Sequence, residues 1–430
     1  MHLLLIHQNF PAQFRELAPA WLAAGHQITA IGCRSTAPPG EEWASLRYWS
    51  YRSRDQRDPQ TLTPLERIAA LDQLCTHLSQ QGLEPDLVMA HSAWGEALPL
   101  RRLFPRTPLV VYPELWGSPS ALGIGFDAHL PTHVTAAMLR RIDKQNLLAE
   151  LAISQADAAV VPCISQLESF PFALRPKLRL IFEGVPLHRP PVEEELPPDL
   201  ADLPGDAPLV TLVSRELEPL RGLRQALLAW PEVAREHPTA QLVLVGDREG
   251  GYGEESPQGP SHLDACLEVL PEAVDRRRIH ITGRLSHVRM LALLRRSSCH
   301  LGLSYPYTLS WSLVEAMSLG AAVVSNVGGP LAAEVEEGIQ ALLVPFNDAQ
   351  ALAQAILQLL NSAKRRQILG QAAQQWVADR FSLSKSLEGY DALFAELTAG
   401  DPRPPAAAAT GDANRHAAAA ATTAGWDTRK

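Results

Sequence analysis

The stretch that decides the fold is residues 303–329, LSYPYTLSWSLVEAMSLGAAVVSNVGG. It predicts the end of a strand, a proline-marked loop, a helix over 311–319 and, after Gly320 as the helix stop, a second strand through Val324. The loop brings three residues to the start of this helix, namely Ser310, Trp311 and Ser312. Free backbone N–H groups and the helix dipole at such a start favour an anion, for example a phosphate.

Glu315 lies one turn into the same predicted helix. A carboxylate there repels a phosphate placed on the helix, so we predict that it accepts hydrogen bonds from a pair of hydroxyls, as a ribose offers. The alternative is a capping box, in which Ser312 and Glu315 satisfy each other's backbone N–H groups and bind nothing. The helix alone favours the capping box, because capping signatures are more common than ligand sites.

The composition predicts a globular protein without nucleic-acid partners. The chain has 430 residues, enough for two or three domains, and 46% of them are apolar. A net charge of -9 argues against a nucleic-acid groove, which needs a basic face. The five cysteines are scattered, so neither a disulfide scaffold nor a structural metal is predicted.

No apolar run is long enough to span a bilayer, and the opening residues MHLLLIHQNF lack the features of a signal peptide. We therefore expect a cytoplasmic protein. Short arginine clusters, for example Arg140-Arg141, are most simply solvated surface. A peripheral contact between one such cluster and anionic lipid at the inner face of the membrane is the alternative.

Residues 1–185 alternate buried strands with amphipathic helices, which predicts a mostly parallel sheet covered on both faces. The first strand-helix-strand unit has no G-x-G-x-x-G fingerprint, so no dinucleotide cofactor is predicted. Ligands of such sheets bind at the carboxyl ends of the strands, where the sequence places Asn9, His91 and Glu114. For His91 and Glu114, a plain packing or loop role is an equal alternative.

Residues 186–207 are rich in proline and acidic side chains and predict an interdomain linker. A second series of alternating strands and helices follows over 208–398, with the last helix either within this domain or crossing back to the first. Residues 399–430 lack apolar periodicity and predict a disordered tail rich in proline and alanine. Two such domains leave a cleft between them, which is a common place for ligands.

An arginine pair follows the first strand of the second domain, in the segment SRELEPLRG at 214–222. Arg215 and Arg221 therefore lie at the carboxyl edge of the sheet, on the same side as the loop before Trp311. Two guanidinium groups facing a helix N-terminus can neutralise a diphosphate through charge-assisted hydrogen bonds. Taken alone, the pair is more often solvated surface.

The sequence resembles a family-4 glycosyltransferase (glycosyl transferases group 1) of the two-domain type called GT-B. The resemblance covers residues 1 to about 395, in the right order, and excludes the tail. Besides SRELEPLRG and the opening stretch, it is carried by HQNFPAQF (7–14), AAGHQITAIG (23–32), DLVMAHSAWGEAL (86–98), ADAAVVP (156–162), LIFEGV (180–185), GDREGGYG (246–253), IHITGRL (279–285) and ALLVPF (341–346).

The resemblance implies an α/β fold of two Rossmann-like domains whose parallel sheets face a central cleft. It also implies transfer of a sugar from a UDP- or GDP-linked donor to a glycan or lipid-linked acceptor, with retention of configuration and with neither metal nor cofactor. Arg215 and Arg221 would hold the diphosphate, and Glu315 would bind the ribose. The other donor-side positions are Asn9, Ala12, Gly283, Arg284, Leu285, Tyr307, Ser310, Trp311 and Ser312, and the acceptor or sugar side holds His91 and Glu114.

Three positions depart from the family pattern. Tyr307 stands where the family has the first glutamate of its Glu-x7-Glu motif, Glu114 replaces a histidine, and Ala12 replaces a glycine of the phosphate loop. These departures leave open a catalytically silent GT-B protein that binds a nucleotide sugar or a partner enzyme. A GT-B sugar epimerase ranks lowest, because it shares the fold without the arginine pair.

Overall fold

The computed structural model describes residues 1–51, 62–130, 133–187, 205–248 and 261–399, together with Leu196, Leu200 and Leu203. Most of the predicted linker 186–207, nearly all of the predicted tail 399–430 and the GGYG part of the glycine-rich loop lie outside the described residues. No helix among the described residues is long and apolar enough to cross a membrane.

The first sheet has seven parallel strands in the order β3-β2-β1-β4-β5-β6-β7. Apolar residues fill both faces of the central strands, as expected of a parallel sheet covered by helices. The strands are β1 (His2–Ile6), β2 (Gln27–Gly32), β3 (Arg47–Ser50), β4 (Leu87–His91), β5 (Leu109–Tyr112), β6 (Ala158–Val161) and β7 (Leu178–Leu180). The helices of this part are α1 (Leu17–Ala23), α2 (Pro64–Gln80), α3 (Leu100–Leu103), α4 (Ala136–Gln155) and α5 (Ile164–Ser169).

The second sheet has six parallel strands in the order β10-β9-β8-β11-β12-β13. They are β8 (Leu209–Glu216), β9 (Gln241–Asp247), β10 (Ile279–Gly283), β11 (Cys299–Leu301), β12 (Val323–Asn326) and β13 (Leu342–Val344). The helices are α6 (Leu223–Glu236), α7 (His262–Glu268), α8 (His287–Arg296), α9 (Trp311–Ser318), α10 (Ala349–Leu360), α11 (Ala363–Arg380) and α12 (Leu383–Thr398).

The last helix, α12, follows the second sheet in sequence but packs against the first one. The rings of Tyr390 and Trp21 meet edge to face with centroids 5.4 Å apart, and Phe394 packs beside them. The backbones of Val185 and Phe381 are hydrogen-bonded next to this helix. The chain therefore passes between the two halves of the molecule twice, once after β7 and once before α12.

Short elements are where the structure differs from the sequence-based expectations. Between β4 and β5 the predicted alternation of strands and helices gives only the single turn α3, and the strand β3 and the helix α5 are too short for the sequence pattern to indicate them. Four residues of an edge strand and six residues of a helix carry too few periods for their pattern to stand out. These elements form because the rest of the sheet supports them.

Candidate functional site

The helix α9 begins as predicted, but not by the predicted capping box. Ser310 is the N-cap residue and makes no side-chain cap hydrogen bond. The hydroxyl of Ser312 bonds instead to the carbonyl of Val213, at 3.2 Å, and to the hydroxyl of Ser310, at 2.9 Å. The capping-box alternative is therefore wrong, because Ser312 ties the helix start to the strand β8 and leaves Glu315 to other partners.

Glu315 is the centre of an ion-pair cluster that joins the two domains. Its side chain is only 3% exposed, and its Oε1 accepts hydrogen bonds from Arg15 Nη2 at 3.0 Å and from His287 Nε2 at 2.7 Å. Arg15 belongs to the first domain and also lies over the ring of Trp311, 5.4 Å from its centroid. The carboxylate of Glu315 thus faces the cleft, as binding of a ribose requires. In this structure it contacts the guanidinium of Arg15 from the first domain.

Arg221 lies beside the N-terminus of α9. Its Nη1 donates to the hydroxyl of Ser304 at 3.0 Å and to the carbonyl of Thr308 at 2.9 Å, and its Nη2 donates to the hydroxyl of Thr308 at 3.2 Å. Together with Ser310 and Ser312, Arg221 lines a small cavity at the helix start. A cation and a helix N-terminus therefore share one space, which suits an anion.

A tight turn holds Arg221 in this place. Gly222 follows it with a φ of 75° and packs directly on the side chain of Leu303, where a Cβ atom would clash. Only glycine adopts this conformation so close to a neighbour at no steric cost. The same glycine is the N-cap of α6, so the turn links the arginine to a rigid helix.

Arg215 does not join Arg221 at this cavity, and the predicted convergence of both guanidinium groups is absent in this conformation. Its side chain is 57% exposed and its Nε pairs with Glu216 at 2.9 Å. Arg284 contacts the same carboxylate at 3.5 Å and Asp247 at 2.6 Å. The physical reason is that the carboxylates of Glu216 and Asp247, at the ends of β8 and β9, attract these exposed arginines. The spacing of the arginines in the sequence does not show this attraction.

The loop at Gly283, Arg284 and Leu285 follows β10 at the carboxyl edge of the second sheet. Gly283 has a φ of 65°, a left-handed conformation that redirects the chain there toward α8. His287 is the first residue of that helix, so the same turn also places its imidazole against Glu315. The loop and the ribose-type carboxylate are therefore neighbours.

The first-domain loop after β1 faces Glu315 across the cleft. Ala12 and Gln13 line a narrow cavity together with Arg15, Trp311 and Glu315. Ala12 has a φ of 37°, in the region where glycine is favoured, so its side chain adds strain where the family pattern has glycine. Asn9 precedes this loop, and its backbone N–H donates to the imidazole of His7.

His91 and Glu114 lie together at the ends of β4 and β5. Nε2 of His91 is 3.5 Å from Oε2 of Glu114, and Gln13 donates to the other carboxylate oxygen at 2.8 Å. Burial by itself would raise the pKa of Glu114, but the charge and hydrogen bond of His91, with the bond from Gln13 and the charge of Arg221, lower it. The carboxylate is thus held ionised on the first-domain side of the cleft, with a φ of 58° at its own backbone.

Glu183 is a second carboxyl on this side of the cleft, and sequence reasoning did not single it out. It is buried, accepts a short hydrogen bond from the hydroxyl of Tyr112, and lines the same narrow cavity as Glu315. Its other oxygen, Oε2, is buried and has no hydrogen-bond partner among the described residues. Burial raises the pKa of Glu183 to about 7, against the lowering effect of the hydrogen bond from Tyr112.

We predict that replacing Glu183 by Gln removes a pH dependence of stability. In the wild type the folded carboxyl titrates near pH 7 and the unfolded one near 4.5, so the folded state binds more protons between these values and stability falls as the pH rises through them. The loss is about 2–3 kcal/mol. Urea unfolding at pH 5 and pH 8 should show a smaller difference for Glu183→Gln, whereas exposed Glu388→Gln should match the wild type. Equal pH dependence in all three proteins would contradict the raised pKa.

Tyr307 lies on a cavity between the domains with a volume of about 300 Å³. Its ring is 5.7 Å from the guanidinium carbon of Arg221. Polar and apolar residues both line this cavity besides Tyr307. The polar ones and the indole are Ser118, Ser120, Ser165, Ser169, Glu168 and Trp116, and the others are Leu115, Pro306, Gly328 and Pro330. Hydroxyl and aromatic groups of this kind suit a sugar better than an anion.

A first-domain segment, residues 117–130, reaches across to the second domain, and we call it the strap. Its buried Asp127 accepts hydrogen bonds from Tyr305 Oη at 2.7 Å and Arg224 Nη1 at 3.3 Å. Phe126 packs against Phe346 with ring centroids 5.1 Å apart. The strap thus holds the loop that carries Tyr307 against the first domain, close to the cleft.

The described residues contain no group of three or more histidine, cysteine, aspartate or glutamate side chains that could hold a metal ion. Sequence reasoning missed Arg15, His287, Gln13 and Glu183 in this cleft. Of these four residues, only Glu183 and Gln13 could have been suspected from the sequence, because they lie inside the motifs LIFEGV and HQNFPAQF that carry the family resemblance.

Two parallel sheets whose carboxyl ends face each other across this cleft define the GT-B class of fold. Within that class the chain belongs to glycosyltransferase family 4. Residues 24–189 match the family described as glycosyl transferase family 4 group, and residues 202–376 match glycosyl transferases group 1. The family prediction and the GT-B prediction are both confirmed.

The chain is similar to several known proteins. It is 27% identical over 178 residues to an uncharacterised glycosyltransferase of Methanocaldococcus jannaschii, covering 41% of this chain and 42% of that protein. Its fold matches sucrose-phosphate synthase of Thermosynechococcus elongatus (TM-score 0.68, 20% identity, 93% of this chain and 100% of the other) and Anabaena HepE in complex with UDP and glucose (TM-score 0.65, 17% identity, 92% and 100%). The chain spans less than half the length of the curated relatives that it matches.

Proposed function

We propose that this protein is a retaining glycosyltransferase that moves a sugar from a nucleotide-diphosphate donor to a glycan or lipid-linked acceptor without a metal ion. The observation that supports this most is the cavity shared by Arg221 and the N-terminus of α9, with Glu315 one turn further along the same helix. A diphosphate at the helix start and a ribose at the carboxylate fit this order. The nucleobase would then lie beside the loop at 283–285.

The proposed chemistry is electrostatic. When the bond between the sugar and the β-phosphate breaks, negative charge grows on the phosphate oxygens. Arg221 and the start of α9 line one cavity, and in the proposed mechanism they would meet this charge and so stabilise the transition state more than the bound donor. Arg215 can add a second guanidinium only after leaving Glu216. No side-chain nucleophile is needed for this step.

The sugar side of the proposed site is carried by the first domain. Gln13 donates a hydrogen bond to Glu114 there, and Nε2 of His91 lies 3.5 Å from the same carboxylate. Tyr307 takes the place of the family's first glutamate. We propose that the ionised Glu114 binds sugar hydroxyls in place of that glutamate. The cavity beside Tyr307, with its serine hydroxyls and Trp116, suits a glycan acceptor.

UDP-linked sugars are the first donors to test, because HepE is described in complex with UDP-glucose. We propose that the protein works in the cytoplasm, and that the exposed basic face of α4 with Arg140 and Arg141 offers a peripheral contact with a membrane carrying a lipid-linked acceptor. Leu139 and Leu147 are also exposed on this helix, 46% and 56%. Apolar and basic side chains on one helix surface favour an anionic lipid interface.

The proposed function is tested by incubating the purified protein with UDP-, GDP- and ADP-sugars and measuring the released nucleoside diphosphate by mass spectrometry. We expect release from one nucleotide class, increased by a cell extract that supplies acceptors, and a shift in melting temperature with that nucleotide alone. An extract without the protein is the control. Absence of both binding and release for all three classes would contradict the proposal.

The second candidate is a catalytically silent protein that binds a nucleotide sugar or a partner enzyme. It is favoured by Tyr307, by the strained Ala12 and by the position of Arg215 away from the helix start. Tight nucleotide binding in the same experiment, without release in any extract, would support it over the transferase.

A further inference from the structure

The contact between Arg15 and Glu315 joins the two domains at the carboxylate that we assign to the ribose. Only Glu315 is buried in this pair; its side chain is 3% exposed, and that of Arg15 is 36% exposed. The guanidinium lies over Trp311 at the mouth of a cavity of about 10 Å³, which is too small for a nucleotide. A donor that reaches Glu315 must therefore move Arg15.

The two partners of Glu315 differ in how they are held. His287 belongs to the same domain as Glu315, at the start of α8, so it follows the carboxylate through any domain movement. Arg15 comes from the other domain and also pairs with its own neighbour Glu16, Nε to Oε1, at 3.0 Å. Release of Arg15 from Glu315 therefore leaves it with a carboxylate partner and in contact with water, which lowers the cost of release.

We infer that Arg15 occupies the ribose site of the unliganded protein, and that an incoming nucleotide exchanges its ribose hydroxyls for this guanidinium while His287 keeps Glu315 in place. The inference rests on the proposed function. Both the diol and the guanidinium are donors to the same buried carboxylate, so they compete for it. Arg15 is then a residue that sets donor affinity by competing with the ribose hydroxyls for Glu315.

The test compares UDP with 2′,3′-dideoxy-UDP, which lacks both hydroxyls. Binding of each is measured by calorimetry to the wild type and to Arg15→Gln. We expect Arg15→Gln to bind UDP about three- to tenfold more tightly than the wild type does. This gain corresponds to the free energy of an ion pair with one partly exposed partner. The dideoxy nucleotide should bind the variant and the wild type equally. If the nucleotide screen selects GDP, the test uses GDP and 2′,3′-dideoxy-GDP instead.

The matched control is Arg179→Gln. Arg179 is also 36% exposed and pairs through Nη2 with a carboxylate, Glu396, at 2.9 Å, but away from the cleft. It should leave both affinities unchanged. Glu315→Ala, which removes the acceptor, should abolish the difference between UDP and the dideoxy nucleotide, and melting temperatures show that each variant is folded.

The outcomes separate the alternatives. Weaker binding of both nucleotides by Arg15→Gln would overturn the inference, because Arg15 would then contact the diphosphate. Equal changes for both nucleotides, or no change, would also overturn it, since competition acts only on the diol. If neither UDP nor GDP nor ADP binds the wild type, the proposed function fails and the inference fails with it.

Discussion

Replacing Arg221 by Ala should lower turnover about 100-fold while the protein stays folded. In the proposed mechanism its guanidinium meets the charge that grows on the leaving diphosphate, and loss of one such donor typically costs about 3 kcal/mol of transition-state stabilisation. The variant also loses the hydrogen bonds to Ser304 and Thr308, so we expect a stability loss of about 1–2 kcal/mol. Turnover is measured as release of nucleoside diphosphate at saturating donor.

Two further variants make this result specific. Arg221→Lys keeps the charge but loses the planar pair of donors, so its turnover should lie between those of the wild type and Arg221→Ala. Arg235→Ala removes an exposed arginine from α6, the helix that follows Arg221, and should leave turnover unchanged. A large fall in the melting temperature of Arg221→Ala, with normal turnover of the folded fraction, would show that Arg221 has a structural role alone.

The long elements of the fold could be predicted because their patterns need no tertiary information. Strands such as β1 and β4 are unbroken apolar runs, which is typical of a parallel sheet buried on both faces. The helix α9 and its stop at Gly320 follow from spacing and from one glycine with a φ of 79°. The order of these strands and helices along the chain is enough to predict two Rossmann-like domains, and so the GT-B fold.

The partners of Glu315 could not be predicted in this way. Arg15 is 300 residues away in sequence and His287 is 28, and neither has a local pattern that points to a carboxylate. The prediction for Arg215 differs from the structure for a related reason. The residue lies at the end of β8 as predicted, but its side chain pairs with Glu216 and does not reach Arg221. Side-chain direction at a strand end is decided by charges on neighbouring strands, which sequence order does not show.

The strap, residues 117–130, is the other feature that the sequence did not indicate, and it joins the domains independently of the linker. It contains one short 3-10 turn, and its contacts with the second domain are made to residues more than 90 positions away, among them Arg224, Tyr305 and Asn347. Asn347 donates to the carbonyl of Phe126 at 2.6 Å and accepts from the backbone N–H of Ala128 at 2.9 Å. These bonds between the Asn347 side chain and the strap backbone attach the strap to the surface of the second domain.

Replacing Asp127 by Ala should therefore lower the free energy of unfolding by about 2–4 kcal/mol. The change leaves the hydroxyl of buried Tyr305 without its acceptor and removes the carboxylate paired with Arg224, which is 23% exposed and so partly compensated by water. Urea unfolding measures the loss. Asp72→Ala, which breaks an exposed pair with Arg102, should cost less than about 1 kcal/mol.

Asp127→Asn tells the two parts of this effect apart, because the amide oxygen can still accept from Tyr305 while the charge opposite Arg224 is lost. We expect it to lie between the wild type and Asp127→Ala. Nucleotide affinity should fall in the same order, since Tyr305 belongs to the loop whose residues Ser304 and Thr308 bind Arg221. If Asp127→Ala unfolds at the wild-type urea concentration, the strap does not hold this loop, and Arg221 owes its position to the turn at Gly222 alone.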